Sequence, residues 1–197
     1  NGELIKVWLP LPQTDQARQT DISIKHHNWN VEINTGIHST AYMEGKYDAH
    51  DTTMFNIVYE FATYAEYNPL PRCFKHKKAD PNNAELKQYL AERAPHCLFT
   101  DKIKSLADSI VGKEKRPYYQ ARKLFAAIRE LYPWAGACEY GIIDNIPEYV
   151  IENRHGDCGQ VTLLYIAMCR YLGIPARWQS GFMLHPGYAN LHDWCEI

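Results

Sequence analysis

The hydrophobic pattern of this chain changes its period part-way along, and this change constrains the fold more than any other feature. Up to about residue 63, apolar residues alternate with polar ones, as in the run from Phe55 to Thr63. A period of two predicts strands that have one buried and one solvated face. Several such runs, separated by Gly, Asn and Asp, predict a β-sandwich-like domain at residues 1–67.

Proline-containing polar sequence at residues 68–83 predicts a linker. After it the apolar residues recur at helical spacing, and Asp101 is a candidate N-cap. The pattern predicts helices at residues 84–94, 101–111, 119–132 and 157–171 and strands at residues 176–182 and 192–197. The expected fold class is therefore α+β, with a second domain at residues 84–197 that contains both helices and strands.

The composition excludes several classes of function. The chain has 21 Lys and Arg against 23 Asp and Glu, a net charge of −2. There is thus no strong field to attract nucleic acid or an anionic membrane. No apolar run approaches the ~20 residues that a membrane span needs. The 6 cysteines include no Cys-x-x-Cys pair and are too sparse for a disulfide scaffold. The sequence does not choose a pairing among them, and the simplest interpretation is that most are buried free thiols.

The sharpest local feature is the segment RHGDCGQ at residues 154–160, which leads directly into an amphipathic helix. Cys158 is expected in the first turn, where backbone N–H groups are unpaired and the helix dipole is positive. Both effects favour the thiolate, which is the nucleophilic form of cysteine. Asp157 is the expected N-cap, while Gly156 and Gly159 leave room for a substrate backbone. The alternative is an inert buried cysteine beside a glycine turn.

A cysteine nucleophile needs a base that also protonates the leaving amine, and histidine suits this role because its ordinary pKa lies near neutrality. The candidates in the C-terminal part are His96, His155, His185 and His192. His192 opens a predicted strand, in which His192, Trp194 and Glu196 share one face. Asp193 then points the other way and is not expected to orient His192.

A metal site is an alternative use of the same residue types. Possible ligands are His155, Asp157, Cys158, His185, His192 and Cys195. Their spacings match no recurrent zinc pattern, so we expect neither a metal nor a cofactor. A Cys158–Cys195 disulfide is conceivable, but nothing in the sequence supports it.

Several of these segments, taken together, resemble the transglutaminase-like superfamily of cysteine enzymes. They are GDCG at 156–159, LGIPAR at 172–177, SG at 180–181 and HDW at 192–194. The resemblance covers roughly residues 118–197 and implies a papain-like fold, in which a central helix packs on an antiparallel sheet. By position it implies that Cys158 is the nucleophile and His192 the general base and acid. It also implies an oxyanion site formed by the Trp134 indole N–H and the Cys158 backbone N–H, with core packing as the alternative for Trp134.

In that superfamily an acidic third residue follows the histidine on the next strand. The sequence ends at Ile197, five residues after His192, so this residue is expected beyond it. The domain is accordingly expected to be C-terminally incomplete and truncated after the histidine strand. The isolated chain is expected to be poorly active, because loss of the third member of a catalytic triad costs orders of magnitude in rate.

The resemblance implies cysteine-dependent acyl transfer on an amide or peptide bond through a thioester, with a peptide or protein as substrate. The residues themselves do not choose between water and an amine as the second nucleophile. The resemblance to bacterial members favours hydrolysis and a periplasmic or secreted location. The alternative function is a non-catalytic peptide- or glycan-binding module on a papain-like scaffold, for which the 14 tyrosines and 5 tryptophans would suit a binding surface.

Overall fold

A computed structural model of the chain describes residues 2–13, 18–36, 38–48, 50–65, 67, 79–136 and 138–197. The chain divides into two compact units, Asn1–Pro69 and Leu70–Ile197. The predicted linker lies mostly outside the described residues, because only its last part, residues 79–83, is described. The domain boundaries at residues 67 and 84 therefore stay a prediction.

The first unit is built of antiparallel strands, as the alternating pattern predicts. They are β1 (Leu4–Pro10), β2 (Gln19–His27), β3 (Val31–Asn34), β4 (Thr40–Lys46) and β5 (Ile57–Thr63). β4 lies between β1 and β3 in one sheet, and β2 pairs with β5 in another. Ala41 and Met43 on β4 are fully buried. Gly45 follows on the same face, where a Cβ atom would come within 2.8 Å of the Phe55 ring.

The second unit contains the remaining elements, which surround one buried helix. They are α1 (Ala84–Lys87), α2 (Asp101–Val111), α3 (Pro117–Leu131), a 3-10 turn (Tyr140–Ile142), α4 (Ile146–Asn153), α5 (Cys158–Tyr171), β6 (Arg177–His185) and β7 (Tyr188–Glu196). α5 contacts α2, α3, α4 and both strands. Its Leu164, Ala167, Met168 and Cys169 are fully buried. The α+β class and the central helix packed on an antiparallel sheet are therefore confirmed.

Two predictions about helix ends were wrong. α1 ends at Lys87 rather than at residue 94. In a continuing helix the Tyr89 carbonyl would accept the Arg93 N–H, but it accepts the Ala176 N–H at 3.0 Å, and the Arg93 N–H donates to the Cys97 carbonyl. α2 is capped by Thr100 rather than Asp101, since the Thr100 side chain accepts the Ile103 N–H. Asp101 lies in the first turn, where its negative charge interacts favourably with the helix dipole.

The two predicted C-terminal strands are longer than expected and form one hairpin. β6 and β7 pair in antiparallel register from Arg177 opposite Glu196 to His185 opposite Tyr188. Pro186 and Gly187 form the turn, and Gly187 has a φ of +76°. A turn with proline followed by a residue in the left-handed region is of type II, which glycine permits without strain.

None of the helices among the described residues is long and apolar enough to cross a bilayer.

Candidate active site

Cys158 is the first residue of α5, and the local sequence explains why the helix begins there. The Asp157 backbone is extended, and its Oδ1 accepts the Gln160 backbone N–H at 2.9 Å. The Gln160 Oε1 accepts the Asp157 N–H at 3.3 Å in return, which completes a capping box. The predicted N-cap is confirmed. Cys158 thus lies in a first turn whose free N–H groups and dipole attract negative charge.

The hairpin presents one face of β7 to this end of α5. Ser180 pairs with Asp193 and Trp178 with Cys195, so these four side chains share a face. Cys195 and Trp178 pack against the core of the unit. The Cys158 Sγ–H points to the Asp193 Oδ2 at 3.9 Å. Burial, followed by the negative charge of Asp157, raises the pKa of Asp193 above its ordinary value.

His192 lies on the opposite face of β7. Its side chain is exposed, and its ring stacks on the Trp194 ring with the centroids 6.1 Å apart. No hydrogen bond joins His192 to Cys158 within the part of the chain that the structure describes. The structure therefore brings Cys158 together with Asp193 rather than with His192, and the catalytic role of His192 stays a prediction.

The segment around Trp134 is tied by its backbone to the residues just before Cys158. Trp134 forms a parallel bridge with Gly156, whose carbonyl accepts the Ala135 N–H at 3.1 Å. The Trp134 side chain is 74% exposed, so the alternative of core packing was wrong. The indole remains the predicted second donor of the oxyanion site, beside the Cys158 backbone N–H.

Tyr140 is a neighbour of the site that the sequence pattern did not indicate. It lies in the 3-10 turn, is half-buried, and donates a short hydrogen bond from its hydroxyl to the Asp157 Oδ1. A Cβ atom on Gly159 would collide with this hydroxyl and would lie 2.8 Å from the Asp193 Oδ2. Tyr140 and Asp193 thus approach the same point on the first turn of α5.

The residues considered as metal ligands do not form a cluster. His155 is half-buried with its ring edge-on to Tyr149, and His185 is exposed at the end of β6. No group of three His, Cys, Asp or Glu side chains suited to a metal ion is found among the described residues. Cys158 and Cys195 are both free thiols, so they form no disulfide. Burial and then the charge of Glu196 raise the pKa of Cys195 to about 11.

Residues 104–197 match the family model of the transglutaminase-like superfamily. This segment belongs to the transglutaminase-like superfamily. The family proposed from the sequence is confirmed. The transglutaminase-like segment begins inside α2 and includes Cys158, His192 and Asp193. It is slightly less than half of the chain, and the first unit lies outside it.

Two solved structures are similar to the chain. The putative cysteine protease from Cytophaga hutchinsonii has a TM-score of 0.75 and 17% identity, over 99% of this chain and 68% of that one. A putative protease from Parabacteroides distasonis has a TM-score of 0.39 and 11% identity, over 91% of this chain and 33% of that one. The first likeness confirms the α+β fold of the chain. No curated protein matches the sequence.

Proposed function

We propose that the chain carries out cysteine-dependent acyl transfer with Cys158 as the nucleophile. The observation that carries this proposal is the position of Cys158 at the capped N-terminus of the central helix, inside the transglutaminase-like segment. Cys158 is only half-buried, whereas Cys169 on the same helix is fully buried. A thiol that is both accessible and close to a positive helix end has the setting of a nucleophilic cysteine.

In the proposed reaction the Cys158 thiolate attacks the carbonyl carbon of an amide or peptide bond. The tetrahedral oxyanion then collapses, the C–N bond breaks, the amine leaves with one added proton, and the acyl group stays on Sγ as a thioester. Water attacks this thioester, which releases a carboxylic acid and restores the thiol. The proposed donors to the oxyanion are the Cys158 backbone N–H and the indole N–H of the exposed Trp134.

His192 is the proposed general base and acid, as the resemblance implies. In this role the His192 ring has to lie on the face of β7 that packs against α5. A shift of one residue in the pairing of β7 with β6 would bring it there, because such a shift moves every side chain of the strand to the opposite face. Asp193 is the second candidate for the acid that protonates the leaving amine. Its Oδ2 already lies 3.9 Å from Sγ, and its raised pKa favours the proton-carrying form.

Hydrolysis is proposed in preference to transamidation. The support is the name of the structural relative from Cytophaga hutchinsonii, a putative cysteine protease, whose fold the chain shares at a TM-score of 0.75. Because water and an amine attack the same thioester, the two reactions differ only in the second step and can be compared in one experiment.

The nucleophile is tested by incubating the protein with a complex peptide library and a biotin-labelled primary amine. New peptide termini that form with wild type and with Cys138→Ala, but not with Cys158→Ala, support hydrolysis at Cys158. Cys138 is the matched control because it is an exposed free thiol. Cys158-dependent incorporation of the amine would instead establish transamidation. Peptide or glycan binding without any Cys158-dependent turnover would overturn the enzyme and favour the binding module.

The proton carrier is tested with His192→Ala, Asp193→Asn and the control His185→Ala. His185 lies on the same hairpin but at its exposed turn, so its loss should leave turnover unchanged. If His192 is the base and acid, His192→Ala loses about 100- to 10,000-fold in turnover. If only Asp193→Asn shows this loss, the assignment passes to Asp193.

A further inference from the structure

Tyr140 joins the loop before α4 to the cap of the nucleophile helix. Its hydroxyl donates to the Asp157 Oδ1, and the same oxygen accepts the Gln160 N–H at 2.9 Å. The cap carboxylate therefore has a side-chain donor from outside α5 in addition to the backbone donor of the helix itself. The loss of this side-chain donor would leave the charge of Asp157 less compensated, directly beside Cys158.

The same hydroxyl lies close to the second carboxylate of the site. A Cβ atom on Gly159 would collide with the Tyr140 hydroxyl and would lie 2.8 Å from the Asp193 Oδ2 and 3.0 Å from the Trp178 ring. Because Gly159 has no side chain, the Tyr140 hydroxyl of the 3-10 turn and the Asp193 carboxylate of β7 can both approach the first turn of α5. The Tyr140 hydroxyl, which donates to Asp157, therefore lies near three groups that are negative when ionised: Asp157, Asp193 and Cys158.

The environment also keeps the Tyr140 hydroxyl protonated. Burial, the hydrogen bond to Asp157, and the charges of Asp157, Asp193 and Cys158 all raise the pKa of Tyr140 well above its ordinary value. A phenol in these surroundings remains a hydrogen-bond donor throughout the pH range in which a cysteine is alkylated.

We infer that Tyr140 is a positioning residue for Cys158: its hydroxyl holds the Asp157 cap and screens the charge of that carboxylate from the sulfur. The inference rests on the proposed role of Cys158 as nucleophile. Tyr140 touches the cap rather than the reacting atoms, so it acts through Asp157. With the hydroxyl in place, the negative charge of Asp157 opposes formation of the Cys158 thiolate less strongly.

The test is the pH profile of Cys158 alkylation in Tyr140→Phe, which removes only the hydroxyl. The charged or titratable groups close to Cys158 are Asp157 at the cap of its helix, Tyr140 on the 3-10 turn and Asp193 on β7, while His192 acts on Asp193 from the other face of that strand. We expect the midpoint of the profile to move to higher pH and the rate with iodoacetamide at pH 7 to fall by about three- to tenfold.

Tyr165→Phe is the matched control. Tyr165 also lies on α5, and the hydroxyl of this half-buried side chain donates to the Ala121 carbonyl of α3 at 3.2 Å. Its removal should lower the Tm without changing the Cys158 profile. A Tyr140→Phe variant that also melts at a lower temperature but keeps the wild-type profile would show that Tyr140 is merely structural.

A double-mutant cycle with Asp157→Asn tests whether the effect of Tyr140→Phe passes through the charge of Asp157. Asparagine caps a helix as well as aspartate does but carries no charge. If Tyr140 acts by screening that charge, adding Tyr140→Phe to Asp157→Asn changes the profile no further, and additive shifts overturn the inference. If wild-type Cys158 reacts no faster than the exposed Cys138, the proposed function fails instead, which is a separate result.

Discussion

The Asp193 carboxylate lies 3.9 Å from the Sγ of Cys158, on the face of β7 that packs against α5. The neighbouring His192 ring therefore lies on the opposite face, stacked on Trp194. A carboxylate that is half-buried against a thiol and close to the Asp157 charge stores an electrostatic cost. The free energy of unfolding should therefore depend on pH through the ionisation of Asp193.

Replacing Asp193 by asparagine is expected to raise the Tm at pH 7 and to have no effect near pH 3. Because the folded state raises the pKa of Asp193, it holds a proton more tightly than the unfolded chain does. Wild type therefore loses stability as the pH rises from the ordinary carboxyl pKa, about 3.9, through the raised folded value. Asparagine is neutral at every pH and escapes this loss. Thermal unfolding at both pH values measures it.

The control for this comparison is Asp144→Asn, because Asp144 is exposed. Its Tm should follow that of wild type at both pH values. A lower Tm for Asp193→Asn at pH 7 would mean that the contact with Cys158 stabilises the fold by more than the buried charge costs.

Iodoacetamide should distinguish the cysteines by their surroundings. Burial raises the pKa of Cys169 far above its ordinary range and that of Cys195 to about 11. We expect Cys158 to be alkylated at pH 7 at least ~10-fold faster than either, as followed by peptide mass spectrometry. The exposed Cys138 serves as the reference for simple accessibility. Equal rates at Cys138 and Cys158 would show that Cys158 is exposed but not activated.

The start of α5 could be predicted from sequence because its determinants are local. Asp157 and Gln160 are three residues apart, and together they form the capping box that places Cys158 in the first turn. The face of β7 that meets α5 could not be predicted in the same way. Alternation separates His192 from Asp193 but does not say which of them points inward. That choice depends on Trp178 of β6, which pairs with Cys195 across the hairpin.

Two further failures of the sequence analysis also come from long-range contacts. Tyr140 reaches Asp157 across 17 residues of sequence, and no periodicity links the two. α1 is shorter than its helical pattern because the Tyr89 carbonyl accepts the N–H of Ala176, far along the chain. Local patterns therefore predict the elements and the helix turn that contains Cys158, whereas the side chains that surround Cys158 are set by tertiary packing.

Gly159→Ala is expected to disturb the site although alanine is the better helix former. The new Cβ atom would lie 2.8 Å from the Asp193 Oδ2 and 3.0 Å from the Trp178 ring and would collide with the Tyr140 hydroxyl. Overpacking of about 1–3 kcal/mol then outweighs the gain in helix propensity of about 1 kcal/mol. We expect slower Cys158 alkylation and a Tm lower by about 2–4 °C.

The control is Gly141→Ala, where a Cβ atom would meet nothing within 4 Å. This variant should match wild type in both measurements. Wild-type alkylation in Gly159→Ala would mean that Tyr140 and Asp193 can both move away without affecting Cys158.

Arg170→Lys is expected to destabilise the second unit, because the buried guanidinium of Arg170 joins two segments. Its Nε and Nη2 donate to the Ala176 carbonyl at 3.0 and 2.8 Å, and its Nη1 donates to the Ala91 carbonyl at 2.9 Å. An ammonium group lacks this planar fork, so one buried carbonyl is left unpaired. We expect a loss of about 1–3 kcal/mol in the free energy of unfolding, measured from the urea midpoint at an unchanged m-value. The control is Arg129→Lys, at an exposed position on α3, whose free energy of unfolding should stay within about 0.5 kcal/mol of that of wild type. A urea midpoint for Arg170→Lys equal to that of wild type would mean that the lysine satisfies both carbonyls.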